Sequence, residues 1–176
     1  IVDLNNGNQP FVDKNKKIVI FCNGEIYNHL SLRSLKLIDY PWKGYSDTET
    51  LLQLIQEFGL DETLSMIDGM FAFALYDKET NTICLVRDKV GEKPLYYGFL
   101  DNSFVFTSEL HGIEDFNLEI NFDAIEYYLK YQYIPAPLSI YKNIFKLEPG
   151  CYLNFNISNE FEKNSINYKK WWNIKD

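Results

Sequence analysis

The sequence predicts an α+β fold built on a sheet that is covered on both faces, and three stretches carry that prediction. Residues 69–76 alternate Phe71, Phe73 and Leu75 with Ala72 and Ala74. Both faces of that strand are apolar, and the alanine face lets a second layer pack close. Polar loops at 77–81 and at Asp101-Asn102 join neighbouring strand-like runs as hairpins, so the pairing is antiparallel. Ser46 with Glu49 three residues on reads as a capping box. Leu51, Leu52, Ile55 and Phe58 follow as an apolar face, and Gly59 stops the helix.

The remaining elements follow from local signals. Residues 5–10, Asn-Asn-Gly-Asn-Gln-Pro, are turn-forming throughout and lead to Phe11-Val12. Residues 17–22 are a short apolar run, expected as a strand buried on both faces that opens into an Asn23-Gly24-Glu25 turn. Ile26, Leu30, Leu32 and Leu35 are spaced for a short helix ending before Pro41, with His29 in it as a solvated or capping residue. Residues 60–66 restart as a second short helix capped by Asp61. Strands are expected over 69–76, 82–87, 95–99 and 103–107. Asn121 caps a helix with Phe122, Ile125, Leu129 and Tyr133 on one stripe, stopped by Pro135 and Pro137. Residues 147–150 turn into a strand over 151–155. From Asn156 the chain is polar until Trp171-Trp172, which reads as a linker ending in an aromatic anchor. The expected organisation is a domain over 1–155 and a linker over 156–176.

Composition narrows the function classes. A chain of 176 residues with 46% hydrophobic content can bury one sizeable core. The net charge of −8, with no basic cluster beyond residues 14–17 and 169–170, argues against a nucleic-acid partner. No apolar run approaches a membrane span, so no membrane partner is expected. Three scattered cysteines in apolar stretches suit reduced core thiols in a cytoplasmic protein, and they form no metal pattern with His29 and His111. The chain starts mid-pattern at Ile1 rather than at methionine, as expected of a piece of a longer protein.

The stretch Phe-Cys-Asn-Gly-Glu-Ile-Tyr-Asn at 21–28 carries the candidate chemistry. Asn23 offers a side-chain N–H donor, and Gly24 lets a ligand approach its backbone N–H without a Cβ in the way. Two such donors aimed at one point form an oxyanion hole for attack on an amide. Taken alone, Asn23-Gly24 also reads as an ordinary turn, and Asp47 as a carboxylate complementing a helix N-terminus.

Together the motifs resemble the glutaminase half of asparagine synthetase, a class II glutamine amidotransferase with the N-terminal-nucleophile fold. The similarity runs through Ile1-Val2-Asp3, Asn23-Gly24-Glu25-Ile26-Tyr27-Asn28 and Ser46-Asp47-Thr48-Glu49. It continues through residues 69–77, Arg87-Asp88, Gly91, Lys93-Pro94-Leu95-Tyr96-Tyr97, Ser108-Glu109 and Leu147, Pro149-Gly150. The resemblance implies a four-layer sandwich of two antiparallel sheets between helical layers, with N-terminal strands missing. It implies Asn23 and Gly24 as the oxyanion hole, Glu25 and Asp47 as partners of the α-amino group of glutamine, and the backbone of Ile1 and Val2 as pocket lining. It also implies a parent that passes ammonia from glutamine to a synthetase domain. ATP and magnesium would belong to that domain and no cofactor to this one, with aspartate or a sugar carboxylate as acceptor.

Three departures shape the expectation. The family's N-terminal cysteine nucleophile is not among these residues, since residue 1 is isoleucine, and neither is the arginine that clamps the substrate carboxylate. The chain as given is therefore expected to be inactive. Glu92 stands where the family has an apolar residue. Cys22 is expected to be a core thiol and not a substitute nucleophile. An open sheet edge left by the missing strands is expected to pair with a second copy, giving a homo-oligomer. The rival reading is a non-catalytic binding or docking module that retains the fold.

Overall fold

The computed structural model describes residues 2–3, 6–158 and 166–174. The strands are β1 (Phe11–Val12), β2 (Ile18–Ile26), β3 (Gly69–Asp77), β4 (Thr82–Arg87), β5 (Tyr96–Leu100), β6 (Ser103–Thr107), β7 (Ile144–Lys146), β8 (Cys151–Asn156) and β9 (Ile166–Lys170). The helices are α1 (His29–Lys36), α2 (Asp47–Phe58), α3 (Leu60–Met66) and α4 (Phe122–Tyr131). Among the described residues the strands make two antiparallel sheets, one in the order β1-β2-β3-β4-β8-β9 and one in the order β6-β5-β7.

The alternation read from the sequence sets the layers. Phe71, Phe73 and Leu75 of β3 join Ile20 of β2, Val86 of β4 and the leucines of α1–α3 in the largest core cluster. Ala72 and Ala74 face the other way, with Leu85, Leu153 and Phe155, onto Leu95, Tyr97, Phe99 and Phe104 at the small sheet. Within that layer Phe104 and Phe155 stack at 4.3 Å between ring centroids. On the far side of the small sheet, Leu100, Ile113 and Ile144 form a third, smaller cluster. Helices α1–α3 thus make one full outer layer, and a short 3-10 turn at Leu110–Ile113 contributes to the other.

Several local expectations change in three dimensions. Residues 23–26 continue β2 rather than turning out of it, pairing Asn23 with Ala72, Gly24 with Phe71 and Glu25 with Met70. Ile26 ends that strand, and α1 begins only at His29. Leu32 faces in, while Leu30 and Leu35 are exposed. The capping box does not form. Ser46 makes no side-chain cap bond, and Glu49 instead accepts the N–H groups of Lys43 (3.0 Å) and Gly44 (3.3 Å). The reason is Arg33, a buried guanidinium that donates to Gly44 O (2.6 Å), Ser46 O (2.6 Å) and Thr50 Oγ1 (2.7 Å) and draws Glu49 to 3.8 Å. Asp61 does not cap α3, which starts after Gly59. Its carboxylate binds Tyr152 Oη (3.1 Å) and Lys169 Nζ (2.8 Å).

Two larger differences concern the second half. The α4 stripe is not a core face. Phe122 is 74% exposed and Leu129 76%, and only Ala124 of the helix is buried. The tail is not a linker through its length, because β9 extends the large sheet beside β8. Trp171 then stacks on Phe71 within the same chain, at 6.2 Å between centroids. Residues 159–165 and 175–176 of that segment lie outside the described ones. Along residues 19–22 of β2 the edge is covered from within the chain. Phe11 pairs with Ile20, and the Gln9 side chain acts as a strand surrogate, accepting from Cys22 N (2.5 Å) and donating to Cys22 O (2.8 Å).

Candidate functional site

Where β2 passes the start of α2, a cleft of about 300 Å³ opens, lined by Asn23, Gly24, Glu25, Asp47 and Thr48, with Cys22, Met70 and Lys93 among its other walls. The four side-chain and backbone positions singled out by sequence are thus brought together. Val2 also lines the cleft, and Ile1 lies outside the described residues.

Gly24 is fixed here by two constraints. Its φ is +143°, and a Cβ would lie 2.0 Å from the carbonyl oxygen of Met70 and 2.7 Å from Phe71 Cα. Only glycine accommodates that approach of β2 to β3. Antiparallel alternation turns the Gly24 N–H to the same side as those of Cys22 and Ile26, away from β3. Cys22 N–H is taken by Gln9 and Ile26 N–H by Asp47, whereas the Gly24 N–H opens on the cleft. The Asn23 side chain is exposed and makes no side-chain hydrogen bond among the described residues, so its amide is available as a second donor.

Asp47 is 6% exposed and anchored. Its Oδ2 accepts Ile26 N–H (2.9 Å) and its Oδ1 accepts Thr48 N–H (3.0 Å). Each oxygen keeps a lone pair for a cationic ligand, and the helix start favours its charge. Glu25 lies on the same cleft, half-buried. A pair of carboxylates beside two N–H donors can hold an ammonium at one end of a ligand and polarise a carbonyl at the other.

The thiols do not complete that chemistry. Cys22 packs against the helical-side core, and burial, followed by the Asp47 charge, pushes its pKa up to about 12. Cys84 is likewise pushed to about 12 by burial, and burial raises Cys151 as well. His29 differs from its expected solvated or capping role. It is 6% exposed, its Nδ1 has no partner among the described residues, and burial lowers its pKa against the opposing pull of Asp47 and Glu25. The neighbouring Asn28 ties α1 to the end of α3 through Met66 O (2.9 Å) and Asp68 N (2.9 Å). Glu92 is exposed, and its backbone N–H donates to Asp88 (2.9 Å).

Sequence reasoning missed Gln9, Thr48, Met70 and Lys93 as cleft residues. Lys93 lay inside a quoted motif without a role, while Gln9 sat in a stretch that signals only turn.

The family described as glutamine amidotransferase domain matches residues 1–172. A putative glutamine-hydrolysing asparagine synthetase 2 of Methanocaldococcus jannaschii is 37% identical over 196 residues, spanning 100% of this chain and 37% of that protein. Glutamine-hydrolysing asparagine synthetase 1 of Bacillus subtilis is 35% identical over 153 residues, spanning 85% of this chain and 24% of that protein. The chain therefore spans well under half the length of these relatives. Among solved structures, an allosteric regulatory enzyme of purine biosynthesis superposes with a TM-score of 0.65 over 94% of this chain and 31% of its own, at 22% identity. That likeness is one of fold.

Proposed function

The chain belongs to the glutamine amidotransferase domain family, and from that premise we propose that its cleft binds glutamine for release of the side-chain ammonia. The α-ammonium faces the carboxylates of Asp47 and Glu25, and the γ-carbonyl oxygen receives the Asn23 amide and the Gly24 N–H. A thiolate adds to the γ-carbon, and the oxyanion so formed takes both hydrogen bonds. Its collapse expels ammonia, and water then cleaves the thioester to glutamate. The attacking thiol is one other than Cys22, Cys84 or Cys151, each of which burial holds in the protonated form. The ammonia goes to an ATP- and magnesium-dependent synthetase domain of the kind carried by asparagine synthetases, with aspartate or a related carboxylate as acceptor. Neither ATP nor magnesium is assigned to this domain. A cytoplasmic setting fits this chemistry, and no helix among the described residues is long and apolar enough to cross a membrane.

The observation that carries this reading is the convergence of Asn23, Gly24, Glu25 and Asp47 on one small cleft. In a full-length enzyme built on this domain, Asn23→Ala should slow glutamine hydrolysis about a hundredfold, the usual cost of one oxyanion donor, while amidation from free ammonia persists. Hydrolysis at an unchanged rate removes Asn23 from that role. Cys22-dependent glutamate release by the chain itself overturns the assignment of the nucleophile.

A further inference from the structure

We infer that Gln9 is a positioning residue for the donor wall of the cleft, a side-chain spacer that keeps the neighbouring chain from closing the sheet over the Gly24 N–H. This rests on the glutamine reading and adds the residue that leaves the donor open for the ligand's carbonyl.

Strand β1 pairs Phe11 with Ile20 and Val12 with Val19, and Asp13 N–H donates to Ile18 O at 3.0 Å. Continuing that antiparallel register places residue 9 opposite Cys22 and residue 7 opposite Gly24, both at hydrogen-bonded positions. A backbone ladder carried that far would give the Gly24 N–H to the Gly7 carbonyl. The chain stops short of this. Beyond Phe11 it is the Gln9 side chain that meets Cys22, with Oε1 accepting Cys22 N–H (2.5 Å) and Nε2 donating to Cys22 O (2.8 Å). One primary amide satisfies both groups that a strand residue would satisfy, and it holds its own backbone a side chain's length away. The Gly7 N–H donates to Asp3 O (2.8 Å) and not to β2.

The space kept open in this way is the cleft, which Gly7 and Gln9 line together with Cys22, Asn23 and Gly24. Along this edge of β2 the outward N–H groups recur at every second residue, about 6.8 Å apart. Gln9 closes the one at Cys22 and Asp47 the one at Ile26 (2.9 Å). The Gly24 N–H stands between these two side chains. An unpaired N–H on a sheet edge accepts any strand that reaches it, and the two flanking side chains reserve it for a carbonyl that enters the cleft. The Cys22 carbonyl also belongs to the peptide plane leading into Asn23, so the same clamp sets the base of the second donor.

The test is NMR titration of the isotope-labelled chain with L-glutamine and with L-norvaline, which keeps the α-ammonium and the aliphatic stem but has no side-chain amide. The wild type should bind glutamine about tenfold more tightly than norvaline, as hydrogen bonds to one carbonyl allow, and glutamine alone should shift the Gly24 amide signal. Gln9→Met keeps a side chain of similar length and loses both bonds to Cys22. It should bind the two ligands alike, at norvaline's affinity, and its Cys22 amide should exchange with solvent about tenfold faster. Gln9→Glu, whose carboxylate still accepts the Cys22 N–H, should restore part of the preference. Gln9 is exposed, and matching circular dichroism spectra and melting curves will establish that Gln9→Met folds. Faster Cys22 exchange with an undiminished preference for glutamine would make Gln9 an edge cap only, overturning its positioning role while leaving the glutamine site standing. A wild type that binds glutamine no better than norvaline overturns the reading of Asn23 and Gly24 as carbonyl donors, and this inference with it.

Discussion

Helices α2 and α4 look alike in sequence and lie in opposite environments. Each follows a capping-type residue, Ser46 or Asn121, and each carries apolar residues at helical spacing. Asn121 makes its cap bond, accepting Asp123 N–H at 3.2 Å, whereas Ser46 makes none. Yet α2 buries Leu51, Leu52, Leu54 and Ile55 together with Asp47, Thr48, Glu49 and Thr50, and α4 buries Ala124. The cap marks where a helix starts, and burial is decided by what holds its end. The start of α2 is held by Arg33, Glu49 and the Asp47–Ile26 bond, so its polar groups are satisfied inside the fold. Asp47, the candidate ligand-binding carboxylate, stands on that fixed end.

The largest expected effect is at Arg33. Arg33→Met leaves the Gly44 and Ser46 carbonyls without their buried donor and the Glu49 carboxylate without its buried counter-charge. It should cost about 4 kcal/mol, read as a lower urea midpoint at unchanged slope. A loss no larger than that of an α4 surface change would mean that α2 is held by its leucines alone.

His29 sharpens the comparison, because it is buried at the start of α1 with Asp47, Arg33 and Glu25 as its charged neighbours. Burial lowers its folded-state pKa below the ordinary 6.5. An unfolded chain therefore takes up its proton near pH 6.5 and the folded chain only at lower pH. Stability contributed by neutral His29 is full above 6.5 and declines as pH falls below it. Urea midpoints across that window should decline more steeply for the wild type than for His29→Leu. Parallel declines would contradict the burial of an uncharged imidazole.

The smallest effect is expected on α4. Leu129→Gln replaces a side chain that is 76% exposed and should shift stability by no more than about 0.5 kcal/mol in the same titration. A loss of about 2 kcal/mol would show that the α4 stripe packs against something in solution.

The same contrast explains what could be read in advance. The β3–β4 and β5–β6 hairpins were legible, because alternation and polar turns are local signals. The stop of α2 at Gly59 was legible for the same reason. The failed capping box was not, because Arg33 lies in another helix and its claim on Glu49 is tertiary. Nor was β9, whose Ile-Asn-Tyr-Lys-Lys sequence has little apolar alternation and gains its ladder from β8. Asn23-Gly24 signals a turn locally, yet the strand continues because Gly24 tolerates the contact with Met70. In the site, Asn23 and Gly24 were legible as candidate donors from their types, whereas the expected roles of Glu25 and Asp47 came only from the family resemblance. Their convergence depended on the register of β2 against β3 and on the position of α2. Lys93 and Gln9 carried no spacing signal toward the cleft.

The most direct measurement is a crystal structure of the chain saturated with L-glutamine. The account predicts the γ-carbonyl oxygen about 2.7–3.1 Å from Gly24 N and Asn23 Nδ2, with the α-ammonium against Asp47 and Glu25. Glutamine seated elsewhere, or in the cleft with its γ-carbonyl turned away from both donors, would contradict it.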